Sequence, residues 1–108
     1  MAAFVSALSL LVGTLHGTAM QGPLTPVCQV GKPCDGPAPH LTLLFSRNGV
    51  TTKTVTGQDG RYRIRLRAGY YTVRTNRHPF GTTPRPGRVH AVAGRDLHVD
   101  FFIDTGIR

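Results

Sequence analysis

TTKTVTGQDGRYRIRLRAGYYTVRT, from Thr51 to Thr75, decides how the rest of the chain is read. From Arg61 the residues alternate without interruption. Arg61, Arg63, Arg65 and Arg67 fall on one face, and Tyr62, Ile64 and Leu66 on the other. Successive side chains of a strand point to opposite faces, so this period of two places one row in a core and one in water. Gln58-Asp59-Gly60 before the run and Ala68-Gly69 after it are turn signals. The stretch predicts strand, tight turn, strand, tight turn, strand. In the last of these, Tyr71 and Val73 are expected inward, with Tyr70, Thr72 and Arg74 outward.

Working outward, His40 to Ser46 predicts a strand with Leu41, Leu43 and Phe45 inward. Arg47-Asn48-Gly49 turns it, Asn-Gly being the strongest short hairpin signal. Val50 to Thr56 follows as a threonine-rich strand with one wet face. Asn76 to Gly87 breaks every period with its prolines and glycines and reads as a loop carrying His78, Phe80 and Arg85. Arg88 to Ala93 is a short strand, and Gly94-Arg95-Asp96 a turn. A last strand has Leu97, Val99, Phe101 and Ile103 alternating with His98, Asp100, Phe102 and Asp104. Thr14 to Met20 supplies the first strand. Seven strands at short, regular spacing predict a seven-stranded antiparallel β-sandwich.

The 108 residues suffice for one domain. Thirteen glycines and eight prolines punctuate the chain too often for a helix bundle. The net charge of +8 comes almost wholly from arginine, and the five acids are all Asp. Such a balance attracts nucleic acid, anionic lipid or acidic polysaccharide. It is equally what a GC-rich genome and a solvated basic face produce.

Ala2 to Val12 is apolar and uncharged, too short to span a bilayer but suited to the core of a secretory signal. No Lys or Arg precedes it, which a truncated or atypical signal would explain. Cleavage is expected after Gly13 or after Ala19, and the former is adopted. The division is then a signal peptide at 1–13, a domain at 14–104 and a tail at 105–108. The expected location is secreted or cell-surface, with no membrane span once the signal is removed. In that compartment Cys28 and Cys34, the only cysteines, predict a disulfide. Closing so short a ring stabilises by roughly 2 to 2.5 kcal/mol in the chain-entropy picture. A zinc site needs about four ligands, a redox pair favours C-x-x-C, and the residues before Cys28 do not suit a lipid anchor.

Several short motifs carry a resemblance. Leu15-His16-Gly17-Thr18 is followed by a strand built on Leu41, Leu43 and Phe45, then Thr54-Val55-Thr56. Asp59-Gly60-x-Tyr62-x-Ile64 and Ala68-Gly69-x-Tyr71-x-Val73 come next. Over Leu15 to Ile103 the chain resembles the carboxypeptidase regulatory-like domain family, a transthyretin-like β-sandwich of about seven strands. That family has a D-G-x-Y turn followed by P-G-x-Y-x-V, and here Ala68 replaces the usual proline. The G-P-x-x-P-V-C … G-x-P-C loop and the F-x-x-D-T-G-I-R end also look like those of small exported proteins of high-GC actinobacteria. The resemblance implies a non-catalytic module that assists folding, mediates interactions or binds ligands. An enzyme on the wider fold, 5-hydroxyisourate hydrolase, has a C-terminal Tyr-Arg-Gly-Ser signature that is absent here.

The residues themselves favour no enzyme. Beyond the presumed signal, Ser46 is the only serine, and no elbow motif surrounds it. Asp100 and Asp104 would lie roughly 13 Å apart along one strand, too far for a retaining glycosidase pair. No cofactor is implied. A metal would call on His98 and Asp100 plus another histidine, and hairpin pairing would bring His90 near His98; no metal site is adopted. The arginine row is the main functional candidate. Four guanidinium groups at about 6.6 Å spacing form a positive strip, which Lys53 on the adjacent strand and Arg74 on the next would widen. Guanidinium forks suit sulfate, phosphate and carboxylate. Nucleic acid is disfavoured, because base stacking needs exposed aromatics that this face lacks. The bland counterpart is an edge kept soluble by charge. The expectation is a monomeric, non-catalytic module that binds a protein or an anionic extracellular or cell-wall polymer. The alternative is a carbohydrate-binding module of starch-binding-like type, using Tyr70, Phe80 and Phe102.

Overall fold

The computed structural model describes residues 11–22, 31, 34–76 and 84–104. Among them are nine strands and no helix: β1 Val12–Gly22, β2 Gly36–Pro37, β3 Thr42–Arg47, β4 Val50–Val55, β5 Arg61–Arg67, β6 Gly69–Thr75, β7 Arg88–Ala91, β8 Asp96–His98 and β9 Phe101–Asp104. No helix among the described residues is long and apolar enough to cross a membrane.

One sheet is built around β1. Its first half pairs antiparallel with β5, from Val12 opposite Arg67 to Thr18 opposite Arg61. On its other side the same half runs parallel to β8, Leu15 facing Leu97. Its second half pairs parallel with β9 and antiparallel with the short β2. The second sheet is wholly antiparallel, in the order β4-β3-β6-β7. The two sheets pack face to face as a β-sandwich.

The core is where the inward rows meet. Leu15, Leu41, Leu43, Phe45 and Val73 are fully buried, and Phe101 is 1% exposed. Phe45 from the second sheet meets Tyr62 and Phe101 from the first, with ring centroids 5.4 to 6.3 Å apart among the three. Such pairs add about 0.5–1.5 kcal/mol each beyond their burial. The alternation expected of β5 and β6 holds at every position: Tyr62, Ile64, Leu66, Tyr71 and Val73 are buried, and the residues between them in β5 and from Tyr70 to Arg74 are exposed.

The turns follow from their residues. Asn48 and Gly49 both have positive φ, 52° and 80°, as a two-residue type I′ hairpin requires. Gly60 has φ +81°, and a side chain there would strike the Ala19 carbonyl. Asp59 accepts from the Arg61 amide at 3.0 Å, closing the turn into β5. Tyr71 donates its hydroxyl to the Arg67 carbonyl at 2.8 Å, pinning the corner between β5 and β6.

The structure departs from the sequence expectation in four places. The described strands number nine rather than seven, and β1 pairs with β8 and β9 in parallel. The strand expected from Leu97 to Ile103 is broken at Val99 and Asp100. There the chain passes so close to β1 that a side chain at Gly17 would fall on the Val99 carbonyl. The Asp100 carboxylate, at 2.8 Å, accepts the Thr18 amide in place of a ladder carbonyl. The first strand starts at Val12 rather than Thr14, the Val12 carbonyl accepting from Gly94 N–H at 3.0 Å. His40 is not extended but turns at φ 53°, so β3 begins at Thr42. The loop from Asn76 to Gly87 has its centre outside the described residues. Its end returns at Arg85, which exchanges two backbone hydrogen bonds with Phe102 at 2.9 Å each.

Candidate functional site

The β1-centred sheet carries the four arginines of β5, the main candidates of the sequence. Arg61, Arg63, Arg65 and Arg67 are all exposed on β5. Among the described residues β5 pairs on one side only, with β1. The row therefore lies along a sheet edge, where charge also discourages unwanted strand addition.

The four arginines are not equivalent. Arg63 donates to Asp96 Oδ2 at 2.5 Å, and the other oxygen of that carboxylate meets His16 Nδ1 at 2.5 Å. Arg61 faces Asp59 at 3.6 Å, with both side chains well exposed, a geometry that contributes little. Arg65 and Arg67 have no carboxylate partner among the described residues. The unneutralised charge is thus concentrated at the C-terminal end of β5.

Beside this row lies a cluster that the sequence reading reached only in part, through His98 and Asp100. His16 and His98 stack with centroids 5.1 Å apart and planes 12° from parallel. His98 Nε2 meets Asp100 Oδ1 at 2.7 Å. The His16 hydrogen bond, then the Arg63 charge, hold the Asp96 carboxyl below the usual carboxylate range. The Thr18 amide, then His98, do the same for Asp100. An ionised carboxylate only accepts, so the bonded ring nitrogen of each histidine is the donor. The rings lie face to face, and each is bonded to its own carboxylate, His16 to Asp96 and His98 to Asp100. Among the described residues no group of three or more His, Cys, Asp or Glu is arranged to hold a metal ion.

Behind the cluster, Tyr62 donates its hydroxyl to the Val99 carbonyl at 2.6 Å. Burial, with the Asp100 charge second, pushes that phenol far up. It therefore keeps its proton at neutral pH and acts as a structural hydrogen-bond donor. A groove of about 490 Å³ runs over His16, Gly17, Arg61, Arg63 and His98. Its groups can donate hydrogen bonds to an anion, but two of them already serve Asp96.

The remaining candidates are dispersed. Lys53 and Arg74 do not lie beside the arginine row. Both stand opposite Leu44 in the second sheet, because the turn after β4 carries the chain from one sheet to the other. His90 is likewise not near His98. It stacks on Tyr70 at 4.1 Å in the second sheet, and His98's neighbour is His16. Tyr70 is 60% exposed on β6, with Arg88 over its ring at 5.9 Å. Phe102 lies on β9 of the first sheet, half-buried beneath Arg85 at 5.7 Å. Phe80 and Cys28 lie outside the described residues. The register of β1 with β8 is what joins His16 to His98. No local pattern in the sequence pairs two residues so far apart.

No family model and no curated protein matches the chain. Among solved structures, the Bacillus anthracis TIE protein is similar, with a TM-score of 0.56 and 14% identity. The alignment covers 86% of this chain and 16% of that one. The chain therefore spans under a fifth of that protein's length, and the likeness is one of fold.

Proposed function

We propose that the chain is an exported, non-catalytic β-sandwich module of the carboxypeptidase regulatory-like kind. It binds an anionic extracellular or cell-wall polymer through the outer face of β5. The observation that carries this reading is the exposed arginine row, with Arg65 and Arg67 left without a carboxylate partner among the described residues. Alternate guanidinium groups on a strand stand about 6.6 Å apart, a spacing matched to successive charges on an extended polyanion. The reading includes a Cys28–Cys34 disulfide, and no cysteine is free among the described residues. Export supplies the oxidising compartment that such a bond needs.

Retention on heparin-agarose tests it. The wild-type chain is expected to stay bound at about 150 mM salt, where weak surface attraction is largely screened. The Arg65→Ala/Arg67→Ala chain is expected to elute well before it. Wild-type protein that flows through at low salt would end the proposal. The exposure of Tyr70 favours a second reading, carbohydrate binding with Phe80 and Phe102. Neutral-sugar titration with tyrosine fluorescence separates the two, since only the second predicts a saturable change.

A further inference from the structure

We propose that the open side of the sandwich holds a built site for the anionic groups of an acidic polysaccharide, centred on Arg47. This rests on the polyanion reading above and names its site and ligand.

Between the β3–β4 hairpin and the end of β5 lies a groove of about 480 Å³. Arg47 and Val50 form one wall, Arg65 and Arg67 the other, and Leu66 and Tyr71 lie at its base. Among the described residues no acidic side chain lines it. None of the three arginines has a carboxylate partner among the described residues. Strands of both sheets thus contribute three arginines to the lining of one groove. A concave site of this size suits one or two sugar rings.

Arg47 is exposed but lies against a neighbouring element of the fold. It ends β3 opposite Val50 across the tight Asn48-Gly49 turn. Its guanidinium lies against the backbone of Gly69, so closely that a side chain at Gly69 would occupy the same space. Gly69 has φ +150°, a conformation that also disfavours a side chain. The Ala68-Gly69 turn therefore does more than start β6. It makes room for the arginine.

A second groove, of about 380 Å³, shares Arg47 and Asn48 with the first and leads past Ser46 and Thr51 to Arg74. Arg74 thus joins the basic surface through Arg47, around the hairpin end, not through a continuous sheet. The path from Arg67 past Arg47 to Arg74 suits an extended chain with several charges.

The lining favours an acidic sugar chain over nucleic acid. Tyr71 is 6% exposed and its hydroxyl is bound to the Arg67 carbonyl, so its ring offers no face for a base. Val50 is 66% exposed and offers an apolar flank to the C–H face of a sugar ring. Sulfate and carboxylate groups share the chemistry that arginine forks recognise.

The test compares Arg47→Gln, in the groove but not the row, with Arg61→Gln, in the row but not the groove. Each removes one charge. A heparin hexasaccharide and an oligogalacturonate are titrated at about 150 mM salt, with an oligothymidylate as the nucleic-acid probe. Arg47→Gln is expected to weaken the better acidic sugar about tenfold, the equivalent of one charge-assisted contact, and Arg61→Gln about twofold or less. The preference between the two sugars distinguishes sulfate from carboxylate as the anion. Should Arg47→Gln disturb folding, Val50→Glu at the groove and Val55→Glu at the far end of β4 make the same comparison on exposed positions. Equal or greater loss from Arg61→Gln, or from Val55→Glu, would overturn the groove and leave the row as the binding surface. Wild-type protein that binds neither sugar would overturn both, and tighter binding of oligothymidylate would overturn the ligand class.

Discussion

Gly17→Ala should be among the most damaging small changes in the molecule, for a reason unrelated to backbone freedom. An added methyl would fall on the Val99 carbonyl and within 2.8 Å of Asp100 Oδ1. Both groups are tied down: Val99 accepts from Tyr62 Oη, and Asp100 accepts from the Thr18 amide. Room can be made only by moving the β8–β9 connection off β1. Overpacking of this kind costs about 1–3 kcal/mol, and each loosened hydrogen bond adds about 1 kcal/mol. The lower entropy of the unfolded alanine chain returns about 0.4–1 kcal/mol. The net loss is about 2–4 kcal/mol, or about 10–30 °C in Tm for a domain of this size. Urea and thermal unfolding followed by far-ultraviolet circular dichroism would measure it. Tyr62→Phe should cost about 1 kcal/mol alone and close to nothing when Gly17→Ala has already displaced Val99. A Gly17→Ala chain within about 0.5 kcal/mol of wild type, or a Tyr62→Phe cost unchanged in its presence, would refute the close-approach account.

Ile64→Asp places a charge at a position 7% exposed in the core row of β5; it should abolish the cooperative thermal transition, and a folded variant would mean the strand faces are misassigned. The carboxyls of Asp96 and Asp100 are held below their ordinary value of 3.8 in the folded chain. Their stabilising contribution is therefore complete above that value and lost as pH falls through the lower folded values. Tm measured from pH 5 to pH 2 should fall, and fall less steeply in Asp96→Asn/Asp100→Asn; identical slopes would contradict the assignment. Protein recovered from culture medium should have a processed N-terminus and take up two alkyl groups only after reduction, as intact mass would show. An unprocessed intracellular chain with reactive thiols would contradict both export and the bridge.

What the sequence revealed and what it hid divide along contact range. Tyr62, Ile64 and Leu66 could be placed inward because alternation needs no knowledge of a partner strand. Asn48-Gly49 could be placed in a tight turn because both residues tolerate the positive φ that the turn demands. Partner choice is different. The turns after β4 and β5 each carry the chain between sheets, so Lys53 and Arg74 part from the arginine row although they are close to it in sequence. The turn at Gly94 does the same between β7 and β8, which separates His90 from His98. His98 meets His16, 82 residues earlier, only because β8 runs parallel to β1. In the sequence Arg47 reads as a turn residue. Its neighbourhood with Arg65 and Arg67 arises where the β3–β4 hairpin of one sheet meets the end of β5 in the other, which no local pattern records.

The central functional claim is that unneutralised arginines on β5 bind a polyanion, and calorimetric titration with a heparin oligosaccharide over a series of salt concentrations tests it most directly. The account predicts that log K falls linearly with log salt, and that Arg65→Ala/Arg67→Ala makes the slope shallower by about 1.5, near the 0.7–0.9 per contact known for nucleic-acid phosphates. Binding whose salt slope is the same with and without those two arginines would contradict it, as would no binding at all.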